Sequence, residues 1–259
     1  MTYKLIALDK KDGLATLTLN QPDKLNAVSR KMIAEIKSAW EDIAADGSVR
    51  AVLLTGAGRG FCAGADLSDP DRANDADSGS ALEKFFNPVI RTMRSVPKPI
   101  VAAVNGVAAG VGVSLALACD LCVAAESAYF LLAFRRIGLV PDGGATWLLP
   151  RLVGKARAME LMLLGEKLPA ATACEWGLIN RCVADDKLME TALGFAKALA
   201  TGPKSLGMTR NLVWEALDAP WHLQLEAEAY AQGDAGRTED AHEGIMAFVQ
   251  KRPAEFKGR

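Results

Sequence analysis

The sequence predicts an α/β fold in which mainly parallel strands alternate with helices. Three observations predict it. Two short, continuous apolar runs, Ala51–Thr55 and Ile100–Val104, read as strands buried on both faces. Each run leads into a glycine-rich turn, first Gly56–Gly60 and then Asn105–Gly112. Between and beyond them lie segments of helical period, as in Met32, Ile33, Ile36, Trp40 and Ile43. Strands that alternate with helices in this way favour a parallel arrangement.

The elements follow in order. Gly13–Leu19 reads as a strand, ended by the turn residues Asn20-Gln21-Pro22-Asp23. Ser29 is placed to cap the helix that carries the Met32–Ile43 stripe, and Gly47 ends it. Ser68–Ser80 is rich in Asp, Ser, Asn and Ala and reads as a surface loop. A helix over about Ala81–Ser95 leads to Pro97-Lys98-Pro99 and the second buried strand. Glycines open another helix near Gly110, and Leu121–Ala124, Tyr129–Phe130 and Leu178–Val183 read as further strands. From Thr146 helical patterns dominate, and after Pro203 they are unbroken except near Ala219-Pro220 and Gly233–Arg237. The strand–turn–helix unit recurs near Ala51 and near Ile100, without a strict period. The division expected is a core over 1–200 and a helical C-terminal region over 201–259, of a kind that often packs on a neighbouring subunit.

Composition narrows the function classes. A net charge of −1 and the lack of a basic stretch argue against nucleic acid or a membrane surface as partner. No basic segment with an apolar core precedes the folded-looking sequence, and no apolar run is long enough to span a bilayer, so a cytoplasmic protein is expected. Five cysteines in apolar surroundings read as reduced thiols. Cys119 and Cys122 form a CxxC, but no second pair or histidine pair completes a zinc site, so no metal is expected.

Chemistry is signalled at the two glycine turns. Cys62-Ala63-Gly64-Ala65-Asp66-Leu67 and Asn105-Gly106-Val107-Ala108-Ala109-Gly110-Val111-Gly112 both place small residues where a buried strand ends. Small side chains let a ligand approach the backbone, and two converging N–H groups make an oxyanion hole. Glycines at strand ends are also common structural features of α/β folds. A dinucleotide site is disfavoured, because Gly56-Ala57-Gly58-Arg59-Gly60 is not GxGxxG and no GxxxxGK[ST] occurs.

These residues resemble the crotonase (enoyl-CoA hydratase/isomerase) superfamily. The resemblance is carried by Asn20-Gln21-Pro22 with Asn26-Ala27, Phe61–Leu67, Pro99–Gly106, Cys119-Asp120, Ile137–Gly144, Trp176–Ile179, and Glu243–Phe248 with Lys251-Arg252-Pro253. It covers nearly the whole chain in the expected order. It implies a crotonase-like spiral of ββα units followed by a helical trimerisation region, assembled as trimers or hexamers. It implies an acyl-CoA thioester whose oxygen lies between the backbone N–H groups of Ala63 and Val111. Coenzyme A is then part of the substrate, and no separate cofactor is implied. The adenine end is placed near Ala65, Asp66 and Leu67. Lys24 is a candidate phosphate contact, and the residues alone equally allow a solvated lysine.

Hydratases of the family carry two glutamates, and at those positions this chain has Ser114 and Phe134. Neither side chain offers a base near neutral pH, so both are assigned to the pocket wall. Asp142, in Val140-Pro141-Asp142-Gly143-Gly144, fits a turn or helix cap on its own residues. The run Phe134–Arg151 resembles the phenylacetate-pathway isomerases of the 1,2-epoxyphenylacetyl-CoA isomerase type, and that resemblance implies a catalytic base at Asp142. The function expected is a Δ3,Δ2-enoyl-CoA-type isomerase with one aspartate and a backbone oxyanion hole. The alternatives are an enoyl-CoA hydratase, an aryl-CoA dehalogenase-like enzyme with Asp142 as nucleophile, and a non-catalytic acyl-CoA binder.

Overall fold

The computed structural model describes residues 3–74 and 77–259. It begins with an antiparallel hairpin of β1 (Ile6–Lys11) and β2 (Leu14–Leu19). Asp12 and Gly13 turn it with φ of 52° and 78°, the left-handed pair that a two-residue hairpin favours. Helix α1 (Arg30–Ala45) follows, with Ser29 Oγ accepting from Met32 N at 3.2 Å. Its apolar stripe is buried from Met32 to Ile43, with Trp40 wholly covered.

Three ββα turns then build the body. The first is β3 (Ala51–Gly56) and β4 (Gly60–Cys62), leading to α2 (Ser78–Ala81) and α3 (Asn87–Ser95). The second is β5 (Ile100–Val104), β6 (Val107–Ala109) and α4 (Val111–Leu117). The third is β7 (Leu121–Ala125) and β8 (Tyr129–Leu131), leading to α5 (Ala145–Leu164), which is kinked at Gly154. After it come β9 (Lys167–Pro169), α6 (Ala170–Glu175), β10 (Arg181–Val183) and α7 (Leu188–Ala200). The first strand of each turn joins a six-stranded sheet of order β1-β2-β3-β5-β7-β10. The second joins a four-stranded sheet of order β4-β6-β8-β9. Pairings within the spiral are parallel, and β3 and β5 are buried along their whole length.

The spiral is held in phase at its corners. Asn26, fully buried, donates to Ala57 O at 2.9 Å and Gly60 O at 2.7 Å, and so fixes the turn between β3 and β4. Asn105 Nδ2 donates to Gly58 O at 2.8 Å, stacking the next turn on the first. Gly106 lies so close to Arg59 O that a Cβ there would collide with it.

Helices α8 (Ser205–Ala216), α9 (Trp221–Gly236) and α10 (Glu239–Gln250) complete the chain. Buried Arg210 anchors α8: its Nε meets Asp120 Oδ2 at 2.6 Å, and its Nη atoms donate to the carbonyls of Met93, Arg94 and Val96. Helix α9 buries no residue, and α10 exposes Ile245, Phe248 and Val249. The tail returns to α10, where Lys257 N and Gly258 N donate to buried Asp240.

Two boundaries differ from the sequence reading. The helix expected over Ala81–Ser95 is α2 and α3 joined by a π-turn at Leu82–Phe86. Of Leu178–Val183 only Arg181–Val183 is strand, because Leu178 and Ile179 enter the core before pairing starts. Helix α9 ends at Gly236, within the break expected near Gly233–Arg237. Within the expected loop Ser68–Ser80, Pro70–Asn74 form a 3-10 helix and Ser78 starts α2, while residues 75–76 lie outside the described residues. No helix among the described residues is long and apolar enough to cross a membrane.

Candidate active site

The two glycine turns meet at the ends of β4 and β6. Gly64, with φ of 100°, lies against Ala109 and Gly110, so that a Cβ on it would stand 3.0 Å from Ala109 O. Gly112 abuts Cys62 with no room for a Cβ, which presses α4 onto β4. Where they meet, a cavity of about 570 Å3 opens. Its apolar wall includes Leu82 and Phe86 from the π-turn, and Phe134, Ile137, Leu139 and Val140 from the segment before α5.

The turns also decide which N–H groups are free to bind. Ala63 N donates to Leu25 O at 2.9 Å. Its N–H is committed to the fold, which corrects the expectation that it is a free donor. Two residues on, the chain makes a parallel bridge between Val28 and Ala65. That bridge uses Gly64 O, which accepts from Val28 N at 2.7 Å, and Asp66 N, which donates to Val28 O at 3.0 Å. Ala65's own N–H therefore faces away from Val28, and it has no acceptor among the described residues. Val111 is the first residue of α4, so its N–H has no partner within the helix. Ala65 and Val111 both line the cavity, one on each turn.

Asp142 lines the same cavity from the loop before α5. It does not cap that helix: the cap position is Gly144, with no side-chain bond, so the capping role open to it in the sequence is not the one it has. Its carbonyl oxygen accepts from Ser114 Oγ at 2.8 Å and from Ala145 N at 3.1 Å. Its carboxylate is far less satisfied. Oδ1 is buried with no hydrogen-bond partner among the described residues. Burial pushes the carboxyl pKa from 3.8 up to about 6, because the charged form loses solvation without gaining a donor. A carboxylate of that pKa can accept and return a proton near neutral pH.

The chain matches the model of the enoyl-CoA hydratase/isomerase family over residues 9–259. The 1,2-epoxyphenylacetyl-CoA isomerase of Escherichia coli (strain K12) is 46% identical over 95% of this chain and 96% of its own length. A “Probable enoyl-CoA hydratase” of Rhodobacter capsulatus is 42% identical over the full length of both. The crystal structure of an enoyl-CoA hydratase from Bacillus anthracis superposes with a TM-score of 0.92 at 32% identity, covering 99% of this chain and all of that one. The chain belongs to the enoyl-CoA hydratase/isomerase family. As a member of that family it is an enzyme of acyl-CoA thioesters, built on the crotonase fold.

In this enoyl-CoA hydratase/isomerase family member the other expected residues divide into two groups. Ala65, Leu67 and Phe134 line the cavity, Phe134 close beside Gly110. Lys24, Asp66 and Ser114 do not. Lys24 Nζ is paired with buried Asp66 Oδ2 at 2.7 Å, and Asp66 also accepts from Ser68 N and Oγ at 2.9 and 2.6 Å. That pair braces the loop leaving Ala65, and the lysine holds the Asp66 carboxyl below the usual carboxylate range. Ser114 is fully buried beneath the Asp142 loop, so its assignment to the pocket wall is corrected to a contact under it.

The sequence reading missed three arginines, Arg30, Arg72 and Arg136, which line the cavity. Arg30 stacks over Phe85 and Phe86, with its guanidinium carbon 4.6 and 5.3 Å from the ring centroids. Spacing alone gives no signal for them, because Arg30 opens α1, Arg72 lies in the first ββα turn and Arg136 in the third. Asp77 is the cavity's second carboxylate, but it is exposed and caps α2 through Ser80 N at 2.9 Å. Cys119 and Cys122 lie in the core, where burial pushes the Cys122 thiol up to about 12. Among the described residues, no cluster of His, Cys, Asp or Glu could hold a metal ion.

Proposed function

We propose that this enzyme is an enoyl-CoA isomerase that works with one carboxylate, Asp142, and a pair of backbone donors, Ala65 N–H and Val111 N–H. The observation that carries the reading is the unpartnered buried Oδ1 of Asp142, with its raised pKa, inside a cavity whose only other carboxylate among the described residues caps a helix. The isomerase relative at 46% identity supports it. So do the serine and phenylalanine at the positions where hydratases of the family carry glutamates.

The thioester oxygen of a 3-enoyl-CoA sits between Ala65 N–H and Val111 N–H. Ionised Asp142 takes a proton from C2, and the electron pair flows into the thioester to give a dienolate. Each donor on that oxygen is worth about 2.7–4 kcal/mol of transition-state stabilisation. Asp142 then returns the proton at C4, giving the 2-enoyl-CoA. The proton stays on one group throughout, so no second acid is needed. Hydration would need one group to activate water and another to protonate carbon. The buried rings of Phe86 and Phe134 in the cavity wall limit the access of water to the dienolate. The acyl chain runs along this wall, the nucleotide lies along Ala65–Leu67, and Arg30 and Arg72 supply positive charge for its phosphates. Incubation of 3-enoyl-CoA with wild type and Asp142→Asn tests the reading: loss of the double-bond shift with retained acyl-CoA binding supports it.

We also infer that the protein self-associates through α9 and α10. Trp221, Tyr230, Ile245, Phe248 and Val249 are all more than 60% exposed, an apolar surface too extensive for a helix pair left in water. A second and third copy of this chain are the partners proposed.

A further inference from the structure

We propose that Ser114 is a positioning residue, which sets the place of Asp142 relative to the Val111 N–H by holding the main chain of the Asp142-Gly143 turn. The proposal rests on the reading of Asp142 as the base. The observations that carry it lie in one turn of α4. Val111 and Ser114 are three residues apart, so they stand on the same side of that helix. Gly143 is seated against both. A Cβ on it would fall 2.7 Å from Ser114 Cβ, 2.9 Å from Ser114 Oγ and 3.6 Å from Val111 Cγ2. With φ of 59° at Gly143 and 84° at Gly144, the turn can close this tightly only with glycines. The Ser114 hydroxyl, wholly buried, then donates to Asp142 O at 2.8 Å.

The consequence is mechanical. The carboxylate oxygen Oδ1 has no hydrogen bond among the described residues to hold it. Its position is fixed through its own backbone, and one helical turn supplies both the anchor for that backbone and the N–H that faces the developing oxyanion. Ser114 transfers no proton. It keeps the base and the oxyanion donor in register, where a displacement of about 1 Å can cost on the order of 100-fold in rate. It also keeps the turn closed over the carboxylate and so keeps water from it.

The test is the pH profile of kcat for 3-enoyl-CoA isomerisation with wild type, Ser114→Ala, Ser114→Cys and Asp142→Asn, with a thermal melt on each. Changing Ser114 leaves the other charged groups of the cavity, Arg30, Arg72, Asp77 and Arg136, in place. Ser114→Ala is expected to lose about 10- to 100-fold in kcat with little change in KM. Its acid limb should move to lower pH as water reaches the loosened carboxylate. Ser114→Cys, of similar size but a weak donor, should fall between. If the alanine variant does not fold, the cysteine variant must show the displaced limb for the proposal to stand. Wild-type kcat in Ser114→Ala, or a lower kcat with the acid limb unmoved, overturns the positioning role. Full activity in Asp142→Asn overturns instead the base assignment beneath it.

Discussion

Ala63 and Ala65, two residues apart on one turn, have N–H groups in opposite roles: Ala63 N donates to Leu25 O at 2.9 Å, and Ala65, which lines the cavity, has an N–H with no acceptor among the described residues. With an acyl-CoA bound, the amide proton resonance of Ala65 should move downfield as it meets the thioester oxygen, and that of Ala63 should stay in place. Hydrogen exchange in the free protein should be faster at Ala65 than at Ala63. Selective 15N-alanine labelling reads both. A downfield shift confined to Ala63 would reverse the assignment.

The raised pKa of Asp142 predicts two pH dependences of definite sign. Activity needs the ionised base, so kcat should rise with pH through about 6 and level off above it. Stability runs the other way. The folded carboxyl holds its proton more tightly than the unfolded one, so its contribution is fully present below about pH 3.8 and is lost as pH rises through about 6. The melting temperature of Asp142→Asn, relative to wild type, should therefore rise between pH 4 and pH 7. A difference that is flat or falls over that range would mean that the carboxylate is not held in a poorly solvated place.

Arg210→Ala should destabilise the protein without touching the chemistry. It strips the carbonyls of Met93, Arg94 and Val96 of a donor and leaves Asp120 with Ile100 N and Trp214 Nε1 as partners. Breaking a buried pair from one side costs about 3–5 kcal/mol, and the two bonds that Asp120 keeps favour the lower end. Chemical denaturation measures the loss, and KM should be unchanged in the folded fraction.

The exposed apolar residues of α9 and α10 predict an oligomer. Light scattering at micromolar concentration should give a mass of three chains or six. Phe248→Asp, which places a charge on the most exposed apolar side chain of α10, should shift the mass downward. A monodisperse wild-type monomer would contradict the inference.

How far the sequence could be read depended on the range of the interactions. Helix α1 was legible because its stripe and its Ser29 cap are local signals. The runs of β3 and β5 were legible because buried parallel strands are continuously apolar. β4, β6 and β9 were not, since three residues carry no period and exist only as pairings with distant strands. The spiral itself shows no fixed period because its first turn carries the long excursion through α2 and α3 and its second does not. The hairpin of β1 was missed although Asp12-Gly13 announces it. At the site, family likeness singles out Asp142, which lines the cavity, but not the direction of the Ala63 and Ala65 N–H groups. That direction is set by Leu25 and Val28, far back in the chain, and no spacing within Cys62–Leu67 encodes it. Ser114 was placed on the wall for the same reason: only the folded turn reveals Gly143 lying over it.

The base assignment is tested most directly by giving the wild-type enzyme and Asp142→Asn a 3-enoyl-CoA and a 2-enoyl-CoA side by side and identifying the products by mass and NMR. The wild type should convert 3-enoyl-CoA to 2-enoyl-CoA and hydrate 2-enoyl-CoA very slowly, and Asp142→Asn should lose the conversion by about 10²–10⁴-fold while still binding acyl-CoA. Rapid hydration by the wild type, or an undiminished double-bond shift in Asp142→Asn, would contradict it.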